Sequence, residues 1–248
     1  RQGNLAVVQK QYSRALDLAN QSIQVLPLFE GYYLKGLALS RAGKESEALE
    51  AFEQAESINP TDQQLLLTSG LLYDSLNQPE KAQEKYLKLT EAYPNDPVYW
   101  YRAGVGYKNL GELDKAYEYL KKSLKDDFEH IDQAYLQLGD VCLEQKKYEE
   151  SDKYFALAGK KNPEMEEANT GRNASQSARL MDQGNELLKA GKVTEAIAIF
   201  QKAADTSPKS AAPKFLLGNA YLQNNEPAKA LRYTEEGIKL SPDSVSGR

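Results

Sequence analysis

The sequence predicts an all-α solenoid of antiparallel helix pairs, and three registers that repeat together predict it. Gly3, Gly36, Gly70, Gly104, Gly139, Gly184 and Gly218 recur at spacings of 33, 34, 34, 35, 45 and 34 residues. Twelve residues after each stands a small residue: Ala15, Ala48, Ala82, Ala116, Ser151, Ala196 and Ala230. Twenty-four after each stands Pro27, Pro60, Pro94, Phe128, Pro163, Pro208 and Pro242, with Phe128 the one departure. A period of this length is the mark of stacked supersecondary units.

Each unit reads as two amphipathic helices, A and B, joined by a tight turn. The repeat glycine in helix A lets helix B approach, and the small residue in helix B does the same in return. Gly43, Gly111 and Gly191 fall where helix A ends, a position that favours a left-handed cap. Asn77 and Asn225 can adopt that conformation too. The closing Pro ends helix B, because its ring clashes with the preceding turn. Large apolar residues recur at helical spacing: Tyr32, Leu39 and Phe52; then Leu66, Tyr73 and Tyr86; then Trp100, Tyr107 and Leu120. This stripe is the expected core between helices.

Trp100, Ala103-Gly104, Tyr107 and Ala116 resemble the first-helix signature of the tetratricopeptide repeat family, and Leu217-Gly218, Tyr221 and Ala230 match it again. The resemblance runs through essentially the whole chain. It implies a right-handed superhelix with helix A on the concave side. It also implies a role in binding proteins, and leaves the partner open.

Two stretches depart from the repeat. About eleven extra residues, 166–176, follow Pro163. Eleven residues make three turns at about 3.67 per turn, so the insertion can lengthen a helix without rotating its faces. One long helix over residues 164 to 190 is therefore expected. Asn169-Thr170-Gly171 opposes it, since Gly costs a helix roughly 1 kcal/mol, and a break there would be a hinge. The expected organisation is five units over 1–163 with the first truncated, a helical insertion or hinge over 164–176, and two units plus the start of another over 177–248. The second departure is Asp126-Asp127-Phe128-Glu129-His130, which replaces the Pro turn. Both ends read as cut. Residues 243–248 look like the opening of an eighth unit, and Leu231, Ile238 and Leu240 lack the polar cap that a terminal repeat needs.

No chemistry-bearing constellation emerges. The lone histidine, His130, lies in a charged turn, and the one cysteine, Cys142, takes a core position of helix A. Neither a His/Cys metal site nor a Ser/His/Asp set can be assembled from these. Gly104-Val105-Gly106 with Gly111 is a weak match to a phosphate loop, and the repeat register already accounts for it. Asn20-Gln21-Ser22 and Asn173-Ala174-Ser175 fit the glycosylation sequon but fall in expected helices. Glu45, Glu47 and Glu50 read as a solvated face. No catalytic residue, cofactor or metal is expected.

A net charge of −5 argues against a nucleic-acid partner, which calls for a basic face. A share of 16 Gly and 10 Pro in 248 residues is ordinary and argues against bulk disorder. No apolar run reaches the roughly 18–20 residues of a membrane span. The chain opens on Arg1-Gln2-Gly3 without Met, so the lack of a signal peptide leaves cytoplasm and periplasm both open.

The expected partner surface is the free face of the A helices, three and two residues before each repeat glycine and one after it. These residues are Tyr33, Leu34 and Leu37; Leu67, Thr68 and Leu71; Tyr101, Arg102 and Val105; and Leu136, Gln137 and Asp140. The last two units place Met181, Asp182, Asn185, Phe215, Leu216 and Asn219 there. Some relatives hold a chaperone's terminal carboxylate with a Lys/Asn/Asn/Lys/Arg set. Here Arg102 stands alone, so the expectation is a protein or peptide held in an apolar groove, with Tyr33, Tyr101 and Arg102 as the anchors. The alternatives are a regulatory or substrate-recruiting arm of a larger enzyme, and self-association through the groove or the uncapped end. Packing of these side chains on neighbouring A helices is the competing reading.

Overall fold

The computed structural model describes residues 11–125 and 128–242, and among them the chain forms thirteen α-helices and no strand. Gly3, Asp126, Asp127 and residues 243–248 lie outside the described residues. The helices are α1 (Tyr12–Val25), α2 (Phe29–Arg41), α3 (Glu45–Ile58), α4 (Gln63–Ser75), α5 (Pro79–Ala92), α6 (Pro97–Asn109), α7 (Leu113–Lys122), α8 (Ile131–Glu144), α9 (Tyr148–Lys161), α10 (Glu166–Lys189), α11 (Val193–Thr206), α12 (Ala212–Gln223) and α13 (Pro227–Leu240). The chain divides into two compact units, Arg1–Phe128 and Glu129–Arg248. Helices α2/α3, α4/α5 and α6/α7 are the second to fourth hairpins. Helices α8/α9, α10/α11 and α12/α13 are the fifth to seventh.

The repeat glycine has a specific opponent. A Cβ on Gly36 would lie 2.3 Å from the ring of Phe52, and one on Gly70 2.8 Å from that of Tyr86. Gly104 meets Leu120 at 2.7 Å, Gly139 meets Phe155 at 2.7 Å, and Gly184 meets Phe200 at 2.4 Å. Each opponent stands sixteen residues on, in helix B, and is almost fully buried. The glycine is thus the socket for a large buried side chain of helix B. Ala48, Ala82, Ala116 and Ala196 are fully buried in the same contact. Ser151 keeps that position polar, because its hydroxyl donates to the Gly139 carbonyl at 2.8 Å.

Turns and stops follow the sequence closely. Gly43, Gly111 and Gly191 have φ of 74–76°, and Asn77 and Asn225 have φ of 54° and 60°. Lys146 holds the same place in the fifth hairpin with φ 59°, a conformation that costs a residue with a Cβ. Helix B ends two residues before Pro27, Pro60, Pro94, Pro163, Pro208 and Pro242. Where Phe128 replaces the Pro, α7 stops early at ten residues. The Phe128 ring is buried against Tyr101, with centroids 5.7 Å apart.

The A-to-B turn comes in two forms. In the third, fourth and seventh hairpins the residue three after the glycine is Tyr73, Tyr107 or Tyr221. The residue eleven after it is Lys81, Lys115 or Lys229. Each lysine lies over its tyrosine ring, 5.1–5.4 Å from the centroid. In the second, fifth and sixth hairpins those two places hold Leu39 and Glu47, Cys142 and Glu150, and Leu187 and Glu195. The residue eight after the glycine is a lysine in these three hairpins, and Gln78, Glu112 or Glu226 in the other three. Lys44 pairs with Glu47 at 3.1 Å, whereas Glu112 pairs with Lys115 at 2.5 Å.

In the second unit the 24-residue helix α10 contains all of residues 166–176. Gly171 sits in it against the Phe155 ring, where a Cβ would come within 2.4 Å. Phe155 is therefore held between Gly139 on one side and Gly171 on the other. Arg172 and Gln176 bond Asp152 at 2.9 and 2.8 Å, and Ser175 donates to the Tyr148 carbonyl at 3.0 Å. These ties to α9 override the poor helix propensity of Asn169-Thr170-Gly171.

Candidate partner-binding surface

In the first unit, helices α2, α4 and α6 carry nine of the expected groove residues. None is fully buried, unlike the residues that face helix B. Tyr33 stacks on Phe29 at 5.6 Å, and with Leu37 it packs on the cluster that holds Leu65 and Leu72. Leu67 packs on the cluster of Leu66, Tyr99 and Ala103. The bodies of Tyr33, Leu37 and Leu67 thus belong partly to the core between successive hairpins. Leu34, Thr68, Tyr101, Arg102 and Val105 are half-buried, and Leu71 is exposed at 40%. In the second unit, Leu136 packs on Ala158, Met165 and Ala168, while Gln137 and Asp140 are half-buried. Met181, Asp182, Asn185, Phe215 and Leu216 are half-buried and Asn219 is exposed.

The polar groups around this surface are more structured than the residue pattern suggests. Tyr86 donates to Asp74 at 2.5 Å. Burial first, and then that bond, push the Tyr86 phenol far above its ordinary range, while the charge of Arg102 opposes the shift. In the second unit, Tyr148 donates to Asp182 at 2.6 Å; burial and this bond push its phenol up to about 12. Elsewhere in the first unit, Glu56 binds Lys85 and Lys88 at 2.8 Å. Burial alone would raise the Glu56 carboxyl, but the two lysines outweigh it and hold it below its usual value.

Cys142 is fully buried, and burial with Glu150 nearby pushes its thiol up to about 11, so it stays protonated. His130 is exposed at the start of α8. Among the described residues no three His, Cys, Asp or Glu side chains converge on a metal position, and no helix is long and apolar enough to cross a membrane.

Comparison with known proteins converges on one class. The model of the Psidin N-terminal TPR repeats region matches residues 6–100. Tetratricopeptide repeat models match residues 98–128, 132–158 and 187–246. The chain is a tetratricopeptide-repeat protein. Such folds are scaffolds for protein–protein interaction and are generally non-catalytic.

Two solved structures share the fold over nearly the full length. The C-terminal part of a TPR repeat-containing protein from Cytophaga hutchinsonii covers 99% of this chain and 96% of its own, with TM-score 0.62 and 17% identity. A tetratricopeptide repeat protein from Parabacteroides merdae covers 97% and 91%, with TM-score 0.61 and 20% identity. Sequence relatives are more partial. N-alpha-acetyltransferase 25, the NatB auxiliary subunit of Homo sapiens, is 29% identical over 82 residues, 33% of this chain and 8% of that protein. Photosystem I assembly protein Ycf3 of a Synechococcus strain is 34% identical over 85 residues, 33% of this chain and 49% of its own. The chain thus spans less than half the length of these two curated relatives.

Proposed function

We propose that the chain is a non-catalytic adaptor whose first unit holds a partner protein segment along α2, α4 and α6. One observation carries this reading. After each hairpin has buried its own interface, the same three positions on successive A helices stay half-buried or exposed and mostly apolar. Tyr101 and Arg102 are the contacts expected to matter most, because aromatic and arginine side chains dominate binding energy, and Leu71 is the exposed apolar residue of the row. A net charge of −5 favours a protein or peptide over a nucleic acid. Leu136, Gln137 and Asp140 offer a smaller surface of the same kind on the second unit.

The test is capture of co-purifying partner by Leu71→Asp and Arg102→Ala variants with unchanged circular dichroism. Each should lose about tenfold in affinity, the size of one good interface contact. Capture equal to the parent by both would discard the groove.

A second reading draws on one relative. N-alpha-acetyltransferase 25 is an auxiliary subunit of NatB, and this chain could serve a catalytic partner in the same general way. An enzymatic activity that follows the captured complex would favour it. Self-association is a third reading, through the exposed Leu222, Leu231 and Leu240 of the last hairpin. Light scattering that shows a monomer at high concentration would remove it.

A further inference from the structure

In the second unit one register position breaks the repeat, and an open hollow lies beside it. The residue five before the repeat glycine is buried in the other described hairpins, as Gly31, Leu65, Tyr99, Ala134 and Pro213. In the sixth hairpin it is Arg179, and it is exposed. The insertion carries α10 past the start of α9, so Arg179 stands one turn beyond Ser175 and Gln176, which are tied to α9. Two adjoining hollows of about 380 and 160 Å3 are both lined by Tyr148, Glu149 and Arg179. The smaller one reaches in to Asp152, Ser175 and Gln176.

Most polar groups here are already engaged. Asp152 accepts from Arg172 and Gln176, and Ser175 donates to the Tyr148 carbonyl. Asp182, one turn beyond Arg179, accepts from Tyr148 and faces Lys146. Lys147 and Glu150 have contacts of their own. Arg179 and Glu149 form no hydrogen bond or ion pair among the described residues, either with each other or with a neighbour. The helix dipole accounts for a carboxylate at Glu149, in the first turn of α9. Neither packing nor pairing accounts for Arg179.

The two free charges define the guest. A lone anion would gain Arg179 and be repelled by Glu149, and a lone amine would do the reverse. A ligand that carries both charges uses both side chains. The guanidinium grips a carboxylate through parallel N–H donors, and the Glu149 carboxylate accepts from an ammonium. Ligand sites span about 300–1,000 Å3, and a hollow of about 380 Å3 is at the small end of that range. It suits a small molecule better than a chain segment.

We infer that the hollow between α9 and α10 binds a free α-amino acid, with its carboxylate on Arg179 and its ammonium on Glu149. The site shares no residue with the groove of the first unit. The intact chain is screened by thermal shift against the common L-amino acids at millimolar concentration. The one that raises the melting temperature most is then titrated by calorimetry beside its N-acetyl and C-amide forms. Each blocked form should bind about tenfold more weakly, the size of one charged hydrogen bond. Arg179→Gln should remove the preference over the C-amide, and Glu149→Gln the preference over the N-acetyl form. Both side chains are exposed, so circular dichroism should stay unchanged. A screen in which no amino acid raises the melting temperature would overturn the site. So would equal binding of free and blocked forms, or preferences that survive both substitutions.

Discussion

The third, fourth and seventh hairpins solve the A-to-B turn with opposite charges from the second, fifth and sixth. The helix dipole favours a carboxylate in the first turn of helix B, by about 0.3–1 kcal/mol at an exposed site. Glu47, Glu150 and Glu195 obey that preference. Lys81, Lys115 and Lys229 defy it, and each lies over a tyrosine three residues after the repeat glycine. A cation over a ring gains about 0.5–1 kcal/mol at an exposed site, enough to offset the dipole. Where the ring is absent the dipole decides. The core residue and the sign of the surface charge thus go together, and in the fourth and seventh hairpins Glu112 and Glu226 stand eight after the glycine to pair with the lysine.

Four variants strain this comparison to different degrees. Tyr107→Leu should cost most. Tyr107 is 8% exposed and meets Tyr119 edge-on at 4.9 Å. Loss of the aromatic pair and of buried area should lower stability by about 2 kcal/mol in urea unfolding. The equivalent Leu39→Val change in a ringless hairpin should cost about 1 kcal/mol. A result that reversed the order would separate the ring from the turn.

Lys146→Gly should act in the other direction. The left-handed conformation at this position carries a penalty that Gly43 and Gly111 avoid, so the variant should gain about 1 kcal/mol in the same measurement. No gain would mean that the contact of Lys146 with Asp182, 3.5 Å away, offsets the strain. The smallest effect belongs to a charge exchange. Glu112→Lys with Lys115→Glu keeps the ion pair and moves the carboxylate where the dipole favours it, but removes the cation from Tyr107. A drop of about 1–2 °C in melting temperature is expected, whereas a rise would show that the dipole outranks the ring.

The fold was legible wherever its cause is local. Glycine, small-residue and proline registers act within one hairpin, so their spacing carries helices, turns and stops. What escaped has tertiary causes. Gly171 reads as a helix breaker until Phe155 is seen to need the space. Lys146 carries no turn signal of its own, although Gly43, Asn77, Gly111, Gly191 and Asn225 mark its position by register. Phe128 reads as a missing stop, yet the chain turns there and the ring packs on Tyr101.

The candidate surface was legible only in part. Periodicity picks the free face of each A helix, but not that Tyr33, Leu37 and Leu67 lend their bodies to the core.

The double socket around Phe155 bears on how such an array can be edited. Repeat proteins grow and shrink by whole modules, cut at the linker after helix B. Between the fifth and sixth hairpins the first half of α10 closes the fifth and its second half opens the sixth. A deletion of the sixth hairpin at the usual repeat boundary would strip Phe155 of Gly171 and Asp152 of Arg172 and Gln176. Any graft or truncation in this stretch should therefore take α8 to α11 as one block.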